Sequence, residues 1–113
     1  MFDFLKQKKG EPPVLPAGTV RRHYTISGRV QGVGFRWWTK RTAKALGGVS
    51  GWVRNTEDGG VEVFMRGEEE NIERMIAVCR RGPLTARVDG ITFLPPVIRG
   101  FLPDITDGKF EIV

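Results

Sequence analysis

A single α+β domain of β-α-β-β-α-β order, with one sheet and both helices on the same face, is the architecture this sequence predicts. Three observations predict it. Strand-like alternation gives way to helical spacing at a glycine-rich run; two strand-like runs are joined by "NTEDGG"; and a second amphipathic helix leads into a last strand-like run. At 113 residues the chain is long enough for one core and short for two.

Residues 1–19 mix "KQKK" with "GEPPVLPAG", too rich in proline, glycine and charge to pack, so they are expected to form a flexible leader and the domain to occupy 20–113. In the first strand Tyr24, Ile26, Gly28 and Val30 alternate with polar residues. The run "GRVQGVGFR" (Gly28 to Arg36) follows, and a helix begins at Phe35. Its expected core face is Phe35, Trp38, Thr42, Ala45 and Leu46; Trp37, Lys40, Arg41 and Lys44 fall on the other side, and Gly47-Gly48 ends it. Val49 to Asn55 and Val61 to Arg66 read as a hairpin, with Val61, Val63 and Met65 on one face. Glu68 to Arg81 carries Ile72, Met75, Ile76 and Cys79 at i, i+3, i+4, i+7, with acids at its start and arginines at its end to suit the helix dipole.

Gly82-Pro83 stops that helix, and Ala86 to Leu94 reads as a strand with a bulge at Asp89-Gly90, where the apolar phase slips. Right-handed crossovers then give a four-stranded antiparallel sheet, the split βαβ or ferredoxin-like arrangement. Near the C-terminus, "KFEIV" fits either a short additional edge strand or a surface run.

The chain holds one cysteine, Cys79, and one histidine, His23, which excludes an internal disulfide, a multi-cysteine zinc site and a His-rich metal centre. No cofactor is expected. Nothing resembles a membrane span of about 18 apolar residues or a signal peptide's apolar stretch, so a cytoplasmic protein is expected. The net charge of +5 is unevenly spread. Arg21, Arg22, Arg29, Arg36, Lys40, Arg41, Lys44 and Arg54 face no acidic residue between 21 and 56, whereas eleven acidic residues follow Thr56. Such a field attracts anions, unless the acidic half balances it in space.

The glycine-rich run is the candidate site. The amides of Gln31, Gly32, Val33, Gly34 and Phe35 precede the helix's own hydrogen bonds, and Gly32 and Gly34 let a ligand approach them. A helix N-terminus of this kind binds phosphate or carboxylate, and Arg36 adds a planar fork. The Gly-Lys-[Ser/Thr] ending of a nucleoside-triphosphate loop is absent.

The run Ile26 to Arg36 resembles the first signature of the acylphosphatase family, and Gly51-Trp52-Val53-Arg54-Asn55, with Gly59, Val61 and Gly67 downstream, resembles the second. The resemblance implies a ferredoxin-like fold and metal-independent hydrolysis of acyl phosphates to a carboxylate and inorganic phosphate. It further implies that Arg36 and the loop amides hold the phosphoryl group while Asn55 orients the attacking water. The expected partner is a small acyl phosphate, with phosphate or sulfate as competing anions and a monomer as the working state. Membrane binding is not expected.

The leading alternative is a nucleic-acid-binding module of the same element order, since "QGVGFRWW" resembles an RNA-recognition strand motif. Such a motif must lie on a sheet strand so that its aromatics stack on bases, whereas this one precedes a helix, so nucleic acid is not the expected partner. A regulatory module of a larger carbamoyl-transfer system is a second rival. Trp38 and Trp52 are expected in the core, Trp37 at its edge, Arg54 in solvent, and His23 near a sheet edge without a role.

Overall fold

The computed structural model describes residues 18–95 and 101–113. The leader expected over residues 1–19 lies, through residue 17, outside the described residues. The elements run β1 (Thr19–Arg29), α1 (Phe35–Leu46), β2 (Val49–Asn55), β3 (Val61–Glu68), α2 (Glu69–Arg81), β4 (Arg87–Phe93) and β5 (Phe110–Ile112). The strand order is β4-β1-β3-β2-β5. β1 pairs antiparallel with β3 and β4, and β2 pairs antiparallel with β3. β5 runs parallel to β2, so the sheet is five-stranded and mixed rather than purely antiparallel. No helix among the described residues is long and apolar enough to cross a membrane.

Alternation decides the faces. Tyr24 and Ile26 of β1, Val61, Val63 and Met65 of β3, and Val53 of β2 are buried under α1 and α2. From α2, Ile72, Met75, Ile76 and Cys79 complete that core, as their spacing predicts. The bulge also falls where expected: Ser27 pairs with Gly90 and Gly28 with Val88, leaving Asp89 as the extra residue.

The core face of α1 is rotated from the expected one. Its buried residues are Phe35, Thr39 and Ala43, while Ala45 and Leu46 are exposed. Thr39 disguises the stripe, because its hydroxyl donates to the Phe35 carbonyl at 2.8 Å and so enters the core with its polar atom satisfied. Trp38 is half-buried against the core, its ring edge-on to Phe35 at 5.3 Å, and Trp37 is exposed. Trp52 is buried, but on the opposite face of the sheet, where its Nε1–H donates to the Pro103 carbonyl at 2.9 Å.

Candidate active site

β1 and β2 are both antiparallel to β3, which lies between them, so their C-terminal ends meet at one edge of the domain. The glycine-rich loop leaves β1 there and Asn55 ends β2 there. In open α/β sheets, ligands gather outside the carboxyl ends of strands. Here the split topology brings together two segments about 20 residues apart in sequence.

Gly32 and Gly34 adopt φ of 73° and 79°, a left-handed conformation that side-chain-bearing residues rarely take. A Cβ at either would meet no protein atom within 4 Å, so backbone conformation, and not crowding by the protein itself, is what demands glycine. Gly28 is different. Its φ is 129°, and a Cβ there would collide with the Arg87 carbonyl oxygen across the bulge, so the first glycine serves the β1–β4 contact.

Gly34 is the N-cap of α1 and supplies no side-chain cap; the first turn holds no acidic residue. The first helical bond runs from Trp38 N–H to the Gly34 carbonyl at 3.0 Å, so the amides of Phe35, Arg36 and Trp37 precede it. Phe35 is itself buried, which fixes the start of the helix. The Arg36 side chain is exposed and makes no ion pair or hydrogen bond among the described residues. With its guanidinium added to the positive end of the helix, the electrostatics favour an anion.

The loop is tied on both sides. Gln31 Nε2 donates to the carbonyls of Thr56 at 2.7 Å and Gly60 at 2.8 Å, which joins the loop to the β2–β3 hairpin one residue beyond Asn55. Thr85, before β4, donates its hydroxyl to the Val33 carbonyl at 2.8 Å, and the Val33 side chain packs on the core. The hairpin is closed by Thr56 N–H to the Gly60 carbonyl at 3.0 Å and by Gly60 N–H to Thr56 Oγ1 at 3.0 Å. Asn55 is exposed at its mouth. Loop, Arg36 and Asn55 are thus gathered at one end of the sheet.

Reading the loop for its amides missed the side chain of Gln31 as the tether between the two segments. A long polar side chain in a run that otherwise needs bare backbone was the available clue. Thr85 carried no comparable mark. Arg54 is half-buried and paired with Glu62, not solvated, and His23 lies on interior strand β1, hydrogen-bonded to Glu62, not at a sheet edge.

The chain matches the Acylphosphatase family model over residues 22–102. It is 53% identical over 76 residues to an acylphosphatase from Nitrobacter hamburgensis, covering 67% of this chain and 76% of the relative. To an acylphosphatase from Nitratidesulfovibrio vulgaris it is 45% identical over 92 residues, covering 80% and 91%. The crystal structure of acylphosphatase from Bacillus subtilis superposes with a TM-score of 0.68 at 29% identity, covering 82% of this chain and 97% of that one. On the family model, the curated relatives and the fold together, the chain belongs to the acylphosphatase family.

Proposed function

We propose that the acylphosphatase reaction of this chain, hydrolysis of an acyl phosphate to a carboxylate and inorganic phosphate, is carried out at the β1–α1 junction. The phosphoryl oxygens bond to the amides of Gln31, Gly32, Val33, Gly34 and Phe35 and to the Arg36 guanidinium. Asn55 places a water in line with the carboxylate leaving group. The water oxygen bonds to phosphorus as the bond to the acyl oxygen breaks; one water proton passes to a phosphoryl oxygen, and the carboxylate leaves without needing an acid.

The observation that carries this reading is the tether from Gln31 to the Thr56 carbonyl, which couples an uncapped helix N-terminus to the residue beside Asn55. Phosphoryl transfer asks the protein for position and for stabilisation of the equatorial oxygens, and amides with one guanidinium supply both. Asn55 cannot accept a proton at neutral pH, so its part is to orient. Among the described residues no group of three or more His, Cys, Asp or Glu lies together as metal ligands.

Asn55→Ala tests the division of labour. It should lower kcat on benzoyl phosphate by roughly 10²-fold or more, the scale for one lost transition-state donor, while inorganic phosphate inhibits with nearly unchanged affinity. A folded variant with normal kcat, or one whose main defect is phosphate binding, removes Asn55 from this role. Turnover should also persist in excess EDTA, and phosphate should compete with substrate.

A further inference from the structure

On the face of the sheet away from the helices lies a row of partnered side chains that the proposed chemistry does not use. Glu62, 8% exposed, sits at its centre. Its Oε2 is 2.6 Å from His23 Nε2, and its Oε1 accepts from Arg54 Nε at 2.7 Å. The Arg54 guanidinium lies 4.8 Å from the centroid of the Trp52 ring. His23 packs edge-on against Phe64 and Trp52, at 5.5 and 6.4 Å. The chain runs from β1 through β3 to the end of β2.

Stability alone is a weak reason to keep such an arrangement, since apolar residues of similar volume commonly hold a sheet as well as a buried ion pair does. The His23 Nδ1 atom is moreover buried with no hydrogen-bond partner among the described residues, an added cost. What the arrangement does fix is geometry. Arg54 and Asn55 are consecutive, so their side chains leave β2 on opposite faces, and anchoring one fixes the peptide that aims the other. Asn55 needs this from outside: it is the last residue of the strand, exposed, and its side chain makes no hydrogen bond among the described residues. Gln31 restrains the chain on its far side, at the Thr56 carbonyl, and Arg54 restrains it on the near side.

We infer that His23, Glu62 and Arg54 are positioning residues for the hydrolysis, acting through Asn55 from the opposite face of the sheet. The inference rests on the reading of Asn55 as the residue that places the water. Burial raises the Glu62 carboxyl, but the hydrogen bonds and charge of Arg54 and His23 outweigh it and hold the group below its ordinary value, so the anchor is charged at working pH.

The test is a double-mutant cycle on the full chain, with benzoyl phosphate turnover and inhibition by inorganic phosphate as readouts. Glu62→Gln should lower kcat by about tenfold, within the range that a small misplacement costs, and leave phosphate inhibition unchanged. In an Asn55→Ala background the same substitution should change kcat by less than about twofold, because two residues acting through one step do not add. Arg54→Ala should behave like Glu62→Gln and Arg54→Lys should recover most of the loss; this pair carries the test if Glu62→Gln fails to fold. Wild-type kcat in the folded variants, an undiminished loss in the Asn55→Ala background, or a loss that falls on phosphate binding overturns the inference. If Asn55→Ala itself keeps normal kcat, the parent reading has failed instead, and the two failures are told apart by that single variant.

Discussion

The two helices have nearly the same length and opposite N-termini. α2 starts with Glu69 and Glu70 in its first turn, and its Glu69 amide donates to the Gly18 carbonyl at 3.0 Å. The chain supplies both the negative charge and an acceptor that this helix end requires. α1 supplies neither: no acid stands in its first turn, no backbone carbonyl among the described residues accepts from the amides of Phe35, Arg36 and Trp37, and Arg36 adds positive charge where the dipole is already positive. One helix end is answered from within; the other is not, and that unanswered end is where the proposed reading puts the phosphoryl group. The contrast marks a candidate binding site by a need the chain leaves unmet at one place after meeting it at another.

The largest expected effect comes from weakening the open end. Arg36→Lys keeps the charge but loses the planar fork, and kcat/KM for benzoyl phosphate should drop by roughly 10²-fold with weaker inhibition by phosphate. Unchanged kinetics in the folded variant would mean that the helix end works without its arginine. Next, Trp37→Glu would give α1 the internal counter-charge that α2 has. Phosphate affinity should fall by about tenfold, less at high salt, while the helix gains about 0.3–1 kcal/mol. Tighter phosphate binding in that variant would break the comparison.

In the converse experiment, Glu69→Gln and Glu70→Gln should each cost about 0.3–1 kcal/mol in denaturant melts and leave turnover alone. An activity loss would show that the α2 terminus is not the passive control. The smallest effect is expected from Arg41→Ala, exposed and beyond the first turn of α1, where kcat/KM should change by about twofold or less at physiological salt. A tenfold loss would spread the site into a broad cationic surface.

Local pattern made most of the architecture legible. β2, α2 and the β4 bulge follow from residues within a few positions of one another, and the glycine loop is a contiguous run. The α1 face was misjudged because its inner stripe is built from Thr39 and the small Ala43, while larger apolar residues lie outside it. The back face of the sheet was illegible for another reason. Glu62 and His23 are 39 residues apart, and the pairing of Trp52 with Pro103 spans 51, so nothing in either neighbourhood announces the other. The loop and Arg36 are legible as a candidate site because they form one contiguous run, whereas Gln31 as a tether needed the fold that brings Thr56 beside it.

The parallel strand β5 has a consequence for how this molecule behaves in company. Three residues, Phe110 to Ile112, cover the outer edge of β2, held by contacts such as Gly51 N–H to the Lys109 carbonyl at 2.9 Å and Val113 N–H to the Val53 carbonyl at 3.1 Å. The opposite edge, β4, is guarded by its bulge and by Arg87 and Asp89. Without β5, the seven residues of β2 would form an open edge of the kind that pairs with another chain. The C-terminal strand thus does two things at once: Phe110 closes the core, and the backbone around it takes up hydrogen-bonding groups of β2 that an open edge would leave unpaired.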